Sequence, residues 1–195
     1  YSIFDEFRLK SLKGNFEFSD TEIRYMENMP VVKNLYGKAD FFSSNIIFDI
    51  SSGDSENLDL IKGTVDLFDL DTDVEKANIS LKIKGKNAEV LDYLDKSIID
   101  KNTYSELRDV SGNNIVNLDL SFPLLVNLKT EQIIYESDIN IDQAVYNDFF
   151  SDADIKDFNL DILVNNSKTE FKGGGKLLGS NFTFNGNQIN KNNNL

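Results

Sequence analysis

The sequence predicts a mainly β chain, a meander of antiparallel hairpins carrying one or two short helices. Three observations lead there. Period-two alternation of apolar and polar residues dominates the chain, the mark of strands with one buried and one wet face. Turn-forming residues recur at short intervals between the alternating runs, as in a series of hairpins. Only one segment has a good helical pattern, too little to build the crossovers of a parallel sheet.

In chain order, Phe16 and Phe18 open the pattern after Gly14, and Ser19-Asp20 reads as a turn. Ile23 and Tyr25 follow, then Gly37 as punctuation, then the run Ile46, Phe48, Ile50. Ser52-Gly53-Asp54 and Gly63 read as further turns, with Val65 and Leu67 after them. Ala77, Ile79, Leu81 and Ile83 alternate with Asn78, Ser80, Lys82 and Lys84 up to Gly85. The helix comes next. Asn87 suits its N-cap, Glu89 its first turn, and Ala88, Val90, Leu91, Leu94 and Ile98 form one face. After the turn signal Asn113-Asn114, Val116, Leu118, Leu120 and Phe122 alternate with Asn117, Asp119 and Ser121. The pairs Ile133/Tyr135 and Ile139/Ile141 continue the pattern. From about Gln143 to Phe150 a second helix is predicted, with Ala144, Val145, Phe149 and Phe150 as its apolar face. Phe158, Leu160, Ile162 and Val164 then alternate up to the turn Asn165-Asn166. Gly173-Gly174-Gly175 reads as a hairpin or bulge, and Phe182/Phe184 as the last strand before a polar tail from about residue 187. The count comes to roughly nine strands.

At 195 residues one unit spanning 1–195 is the default. The chain opens at Tyr1 without an initiator Met and ends in the run Asn190 to Asn194, as expected of a piece cut from a longer protein. No stretch approaches the roughly 20 apolar residues of a membrane-spanning helix. Thirty-three acidic against 20 basic residues leave a net charge of -13, which repels phosphate backbones, so nucleic acid is not an expected partner. There is no Cys and no His. Thiolate chemistry, Cys-ligated metals, Ser-His-Asp arrangements and the usual neutral-pH general base are thereby excluded. The expectation is a protein that is not an enzyme and uses no cofactor or metal.

The acidic clusters fit that expectation. Asp69, Asp71, Asp73 and Glu75 supply hard oxygen ligands at short spacing, but Val74 stands where a calcium loop needs Gly, and Glu75 comes too early. Asp92 with Asp95, and Asp152 with Asp154, could be drawn as paired carboxylates for glycoside cleavage, without the Trp platform such sites favour. The three consecutive glycines lack the helix and Lys-Ser/Thr of a phosphate loop. The sequons at Asn78 and Asn181 matter only in a eukaryotic secretory pathway.

An internal echo runs through Leu12-Lys13-Gly14-Asn15-Phe16, Leu35-Tyr36-Gly37-Lys38-Ala39 and Ile61-Lys62-Gly63-Thr64-Val65. Its spacing of about 25 residues suggests two-strand units added in series. Four stretches in order resemble the repeat region of AsmA-like (YhdP/TamB-type) bacterial envelope proteins: Gly14 to Tyr25 leading into Asn28-Met29-Pro30 and Leu35-Tyr36-Gly37-Lys38-Ala39; Ile79 to Gly85 leading into Ala88 to Leu94; Leu118 to Leu124; and Phe171 to Phe182, with Asn181 where Pro is common in that family.

What the resemblance implies is a long curved sheet rolled into a trough, its helices packed on the concave side. It implies phospholipid passage between the membranes of Gram-negative bacteria, in the periplasm, on a parent held in the inner membrane by parts outside this chain. The expected partner is the phospholipid acyl chain. The expected lining follows the alternation: Phe16, Phe18, Ile46, Phe48 and Ile50; Val65, Leu67, Ile79, Leu81 and Ile83; Leu91 and Leu94 of the helix; Val116, Leu118 and Leu120; Ile133, Tyr135 and Ile139; and Phe158, Leu160 and Ile162. The rival expectation is a closed β-sandwich, a structural or adhesin-like module in which the same residues are plain core.

Overall fold

The computed structural model describes residues 12–25, 29–96, 105–150 and 153–189. Ten strands follow one another as β1 (Lys13–Ile23), β2 (Val32–Phe42), β3 (Asn45–Ser55), β4 (Leu58–Phe68), β5 (Lys76–Lys86), β6 (Asn113–Pro123), β7 (Ile134–Phe150), β8 (Ala153–Asn165), β9 (Lys168–Leu177) and β10 (Ser180–Ile189). One α-helix, α1 (Asn87–Leu94), stands between β5 and β6, with a short 3₁₀ turn at Ser105–Asp109. The strands form one curved, unclosed antiparallel sheet in strict sequence order. Among the described residues β1 and β10 have no further strand beside them. The two-sheet sandwich is therefore not the architecture; a single meander is.

The strands are longer than the sequence suggested. Ser19-Asp20, Gly37, Gly53, Gly63 and Asn113-Asn114, taken as turns or punctuation, and Gly173–Gly175, taken as a hairpin or bulge, lie inside strands, as does Gly14. The tight connections fall instead at Ser43-Ser44, Glu56-Asn57 and Leu178-Gly179. The glycines have another cause. A Cβ on Gly37 would collide with the Asp49 carbonyl oxygen and the Phe18 ring, and one on Gly173 with the Asn159 carbonyl oxygen and the Phe184 ring. Each ring belongs to the residue directly opposite, so an aromatic covers the bare backbone of a mid-strand glycine. The echo at Gly14, Gly37 and Gly63 is consequently no repeat unit: they stand on β1, β2 and β4, one strand apart and then two.

The predicted helix at Gln143–Phe150 is strand. Ala144 pairs with Phe158 and Tyr146 with Ile155, in the longest strand of the sheet. Gln143 and Asp148 sit at positive φ, 53° each, and the register shifts around them. The irregularity at Gln143 moves the apolar phase from odd positions, Ile139 and Ile141, to even ones, Ala144 and Tyr146, and beyond Asp148 the Tyr146 ring meets Phe149; such phase jumps mimic a helical face. Comparable shifts follow Phe18 in β1, Leu60 in β4 and Lys156 in β8, while Asp20, Asn34 and Asp157 are the positive-φ residues of their strands. All these irregularities lie toward one end of the sheet, the end at which α1 leaves β5. Bulges increase local twist and bend, so the sheet is bent most where the helix covers it. That end is here termed the helix end, and the opposite one the open end.

The fully buried core reflects this. Val110, Ile141, Ala144, Ile155, Phe158 and Leu160 form one cluster, backed by Leu107, Ile139, Tyr146, Ile162, Leu177, Phe182 and Phe184. Helix α1 adds Leu91, which is fully buried, and the half-buried Val90 and Leu94. Ala88, expected on that face, is exposed, and Ile98 lies outside the described residues. Leu35, Leu58 and Met29 complete the covered zone.

Candidate functional site

Registers trace the two faces directly. One row crosses all ten strands as Phe18, Gly37, Ile50, Gly63, Leu81, Leu118, Ser137, Val164, Thr169 and Gln188. The row below it toward the open end is Phe16, Ala39, Phe48, Val65, Ile79, Leu120 and Tyr135. Ile46, Leu67 and Phe122 lie one step nearer that end, and Ile83, Val116, Ile139, Ile162 and Phe171 one step nearer the helix. The sheet thus carries a largely apolar face, broken in the first row by Ser137, Thr169 and Gln188 toward β10.

The opposite face is polar. One of its rows reads Glu17, Lys38, Asp49, Thr64, Ser80, Asp119, Glu136 and Asn165. Lys38 pairs with Asp49 at 3.4 Å, Lys172 with Asp161 at 3.7 Å, and Asn140 donates to Asp161 at 2.9 Å. The two ion pairs are solvent-exposed and contribute little to stability; their effect is to keep that face wet. Its apolar exceptions include Phe42, Ile47, Phe68, Ile115, Ile134 and Leu163.

The apolar face is the inner one. Strands two apart in a flat sheet are about 9.6 Å apart, yet the rings of Phe16 and Phe48 lie 6.4 Å apart and those of Phe158 and Phe184 6.0 Å apart. Side chains crowd in this way on the inside of a bend. Even so, Phe18, Phe48, Val65, Ile79, Leu81, Leu118, Leu120 and Tyr135 remain only half-buried, and Phe16 is 47% exposed. They pack against neighbours in the sheet, and no second layer lies over them among the described residues.

Of the expected lining, Phe16, Phe18, Ile46, Phe48, Ile50, Val65, Leu67, Ile79, Leu81, Ile83, Val116, Leu118, Leu120 and Tyr135 stand on this open face, and Ile139 and Ile162, on the same face, pack against the core cluster. Ile133 is half-buried just before β7. Leu91, Phe158 and Leu160 belong to the covered core, and Leu94 is on the covering helix. Phe41, Phe171, Phe182 and Phe184 share the face and were not assigned to it, although the Phe182/Phe184 alternation was visible.

The cover is pinned by a buried pair that the sequence reading missed. Asn87 is the first residue of α1 rather than its cap; Lys86 precedes it, and the Lys86 backbone amide donates to the Glu89 carboxylate at 2.9 Å. The Asn87 side chain, 1% exposed, donates to the Leu107 and Val110 carbonyls at 2.7 Å each and accepts from Asn114 at 3.0 Å. Helix, 3₁₀ turn and β6 are thereby stapled together inside the core. Farther along, Asp95 accepts from Arg108 at 2.5 Å and Glu56 from Lys96 at 2.5 Å. The Tyr93 hydroxyl shares a short hydrogen bond with Tyr25 beyond the end of β1. Partial burial, and then the bond to Tyr93, push the Tyr25 phenol well above its ordinary value. The helix therefore packs on β5, β6 and the 3₁₀ turn, and hydrogen bonds at its end reach Glu56 and Tyr25.

No group of three or more potential metal ligands gathers among the described residues. Asp69 turns to Lys76 at 2.8 Å, and Asp154 accepts from the Asp148 amide at 3.3 Å. Asp152 lies outside the described residues. No protein-family model, curated protein or solved structure matches the chain.

Proposed function

We propose that this chain is a section of a hydrophobic groove that conducts phospholipid between the inner and outer membranes of a bacterial envelope, and that it is not an enzyme. The observation that carries the proposal is the apolar inner face, which toward the open end of β1–β7 has no second layer over it among the described residues. Burying a sixteen-carbon acyl chain is worth about 0.8 kcal/mol per CH₂, on the order of 12 kcal/mol in all. A carrier offsets that cost only with continuous apolar lining. Nine inter-strand steps of about 4.8 Å make the sheet roughly 43 Å across, and a contiguous apolar patch left uncovered on such a sheet marks a binding surface. The motif resemblance supplies the compartment and the inner-membrane anchor on a longer parent.

The test separates the faces. Photo-crosslinking residues at Leu118 and Leu81, on the inner face, trap phospholipid in cells, whereas those at Asp119 and Ser80 on the outer face do not. Leu118→Asp abolishes the crosslink at position 81, because an unpaired charge in an apolar channel costs several kcal/mol. Equal crosslinking from both faces, or none from a folded parent, refutes the reading.

A further inference from the structure

The two edges of the sheet differ in how well they are guarded. Edge strand β1 carries Lys13, Glu17, Asp20 and Glu22, and its register breaks after Phe18. Charges and bulges are the usual protection against edge-to-edge pairing. Edge strand β10, Ser180-Asn181-Phe182-Thr183-Phe184-Asn185-Gly186-Asn187-Gln188-Ile189, has no charge and no Pro, and it pairs with β9 over ten residues without a shift. Such a strand is a template for another.

The occupant that fits is β1 of a second copy. Ten alternating strands leave β10 running from the helix end to the open end and β1 running back. A following copy set beside β10 with the same end up and the same face inward therefore presents β1 antiparallel, which continues both the meander and the apolar floor. The side chains agree. Inner-face residues of β1 read Gly14, Phe16, Phe18, and those of β10 read Phe182, Phe184, Gly186, the same order reversed. Gly14 is already covered by the Phe41 ring and Gly186 by the Phe171 ring, and the four edge phenylalanines, which pack inward on Phe48 and Phe158, are not fully buried at the edges. Pairing Phe182 with Phe18 and Phe184 with Phe16 makes cross-strand aromatic pairs. It sets Asn185 opposite Asn15 and puts no like charges face to face.

We infer that the exposed edge of β10 binds the Gly14–Phe18 edge of a second copy, joining molecules head to tail into a longer trough. The contact is heterologous, so it builds open chains unless the curvature closes them. It does not depend on whether the groove carries lipid.

Because the chain has no cysteine, single Cys substitutions report the contact. Asn15→Cys and Asn185→Cys chains are mixed and mildly oxidised, with Asn78→Cys on central strand β5 as background; circular dichroism confirms that each is folded. The expected result is a mixed 15–185 disulfide in several-fold excess over either homodimer and over the Asn78→Cys background. Sedimentation of the wild-type chain should shift upward with concentration, and Thr183→Lys/Asn185→Lys should return it to monomer. Homodimers as frequent as the mixed product, crosslinking no higher than background, or a wild-type chain monomeric at every concentration, overturns the inference.

Discussion

The two ends of the inner face are made of the same alternating pattern and have opposite fates. At the helix end Leu35, Leu58, Ile141, Phe158 and Leu91 are fully buried, and seven aromatic or aliphatic side chains pack around the core cluster. Toward the open end the fully buried apolar residues are alanines, Ala39 and Ala77. Larger side chains there stay half-covered. Alternation thus decides which face a residue occupies and says nothing about what lies above it. Bulges that tighten the bend, and a helix stapled across it, turn one part of the face into core and leave the other as groove.

The largest effect that probes this contrast is truncation of a phenylalanine at each end. Phe158, 4% exposed, should lose about 3–5 kcal/mol on change to Ala, because a cavity is left behind. Phe16→Ala should cost about 1 kcal/mol, since water already reaches the ring. Urea denaturation of the two variants reads the difference. Equal losses would mean that the open end is packed as tightly as the covered one.

Next in size is the staple. Asn87→Ala leaves the Leu107 and Val110 carbonyls without their donor, a loss of about 2–3 kcal/mol for buried acceptors. Hydrogen exchange gives the sharper readout: amides of α1, the 3₁₀ turn and the start of β6 should open faster, while those of β2–β5 at the open end keep their protection. Uniform loss of protection would show that the cover and the groove are one cooperative unit.

What could be read in the sequence follows the same division. β5 and β6 pair without a shift over eleven residues, and their alternation from Ala77 to Ile83 and from Val116 to Phe122 was plain. At β7 and β8 the phase jumps at Gln143, Asp148 and Asp157 hid the strand behind an imitation of a helix. Local pattern counts residues, and a bulge adds one without leaving a composition signal. Glycine was misread for a related reason: at Gly37 and Gly173 it serves close approach across the ladder rather than a turn, which depends on a partner far along the chain. Asn87 looked like a cap because Asn commonly is one; its real partners, Leu107, Val110 and Asn114, lie beyond any local window.

Turn strain offers a term that should not differ between the ends. Leu178, at φ 50° in the helix-end turn before Gly179, is a non-glycine residue in the left-handed region, as is Ser43 at φ 49° in the open-end turn. Leu178→Gly should raise stability by about 0.5–1 kcal/mol, and Ser43→Gly should give a gain of the same sign. Thermal unfolding checks both. A gain at one end only would indicate that the flanking strands, not the turn residue, set the strain.

The smallest effect concerns charge at a bulge. Asp157 stands at φ 49° in β8 and binds Lys176 of β9 at 2.6 Å. The hydrogen bond and the charge of Lys176 hold its carboxyl below the usual carboxylate range, and in return lift the Lys176 ammonium above its ordinary value. The sign of each contribution follows. A lowered carboxylate stabilises fully above its unfolded pKa and loses that contribution as pH falls through the folded one. A raised ammonium stabilises fully below its unfolded pKa and loses that contribution as pH rises through the folded one. The pair is exposed, so the effect is small and screened by salt. Asp157→Asn removes the charge while keeping a residue that tolerates the left-handed conformation. The stability difference between wild type and this variant should be flat between about pH 5 and 9, shrink on either side, and vanish in high salt. If instead the difference persists unchanged in acid and in salt, the aspartate acts through the geometry of the bulge, and the bend at the helix end depends on backbone shape rather than on charge.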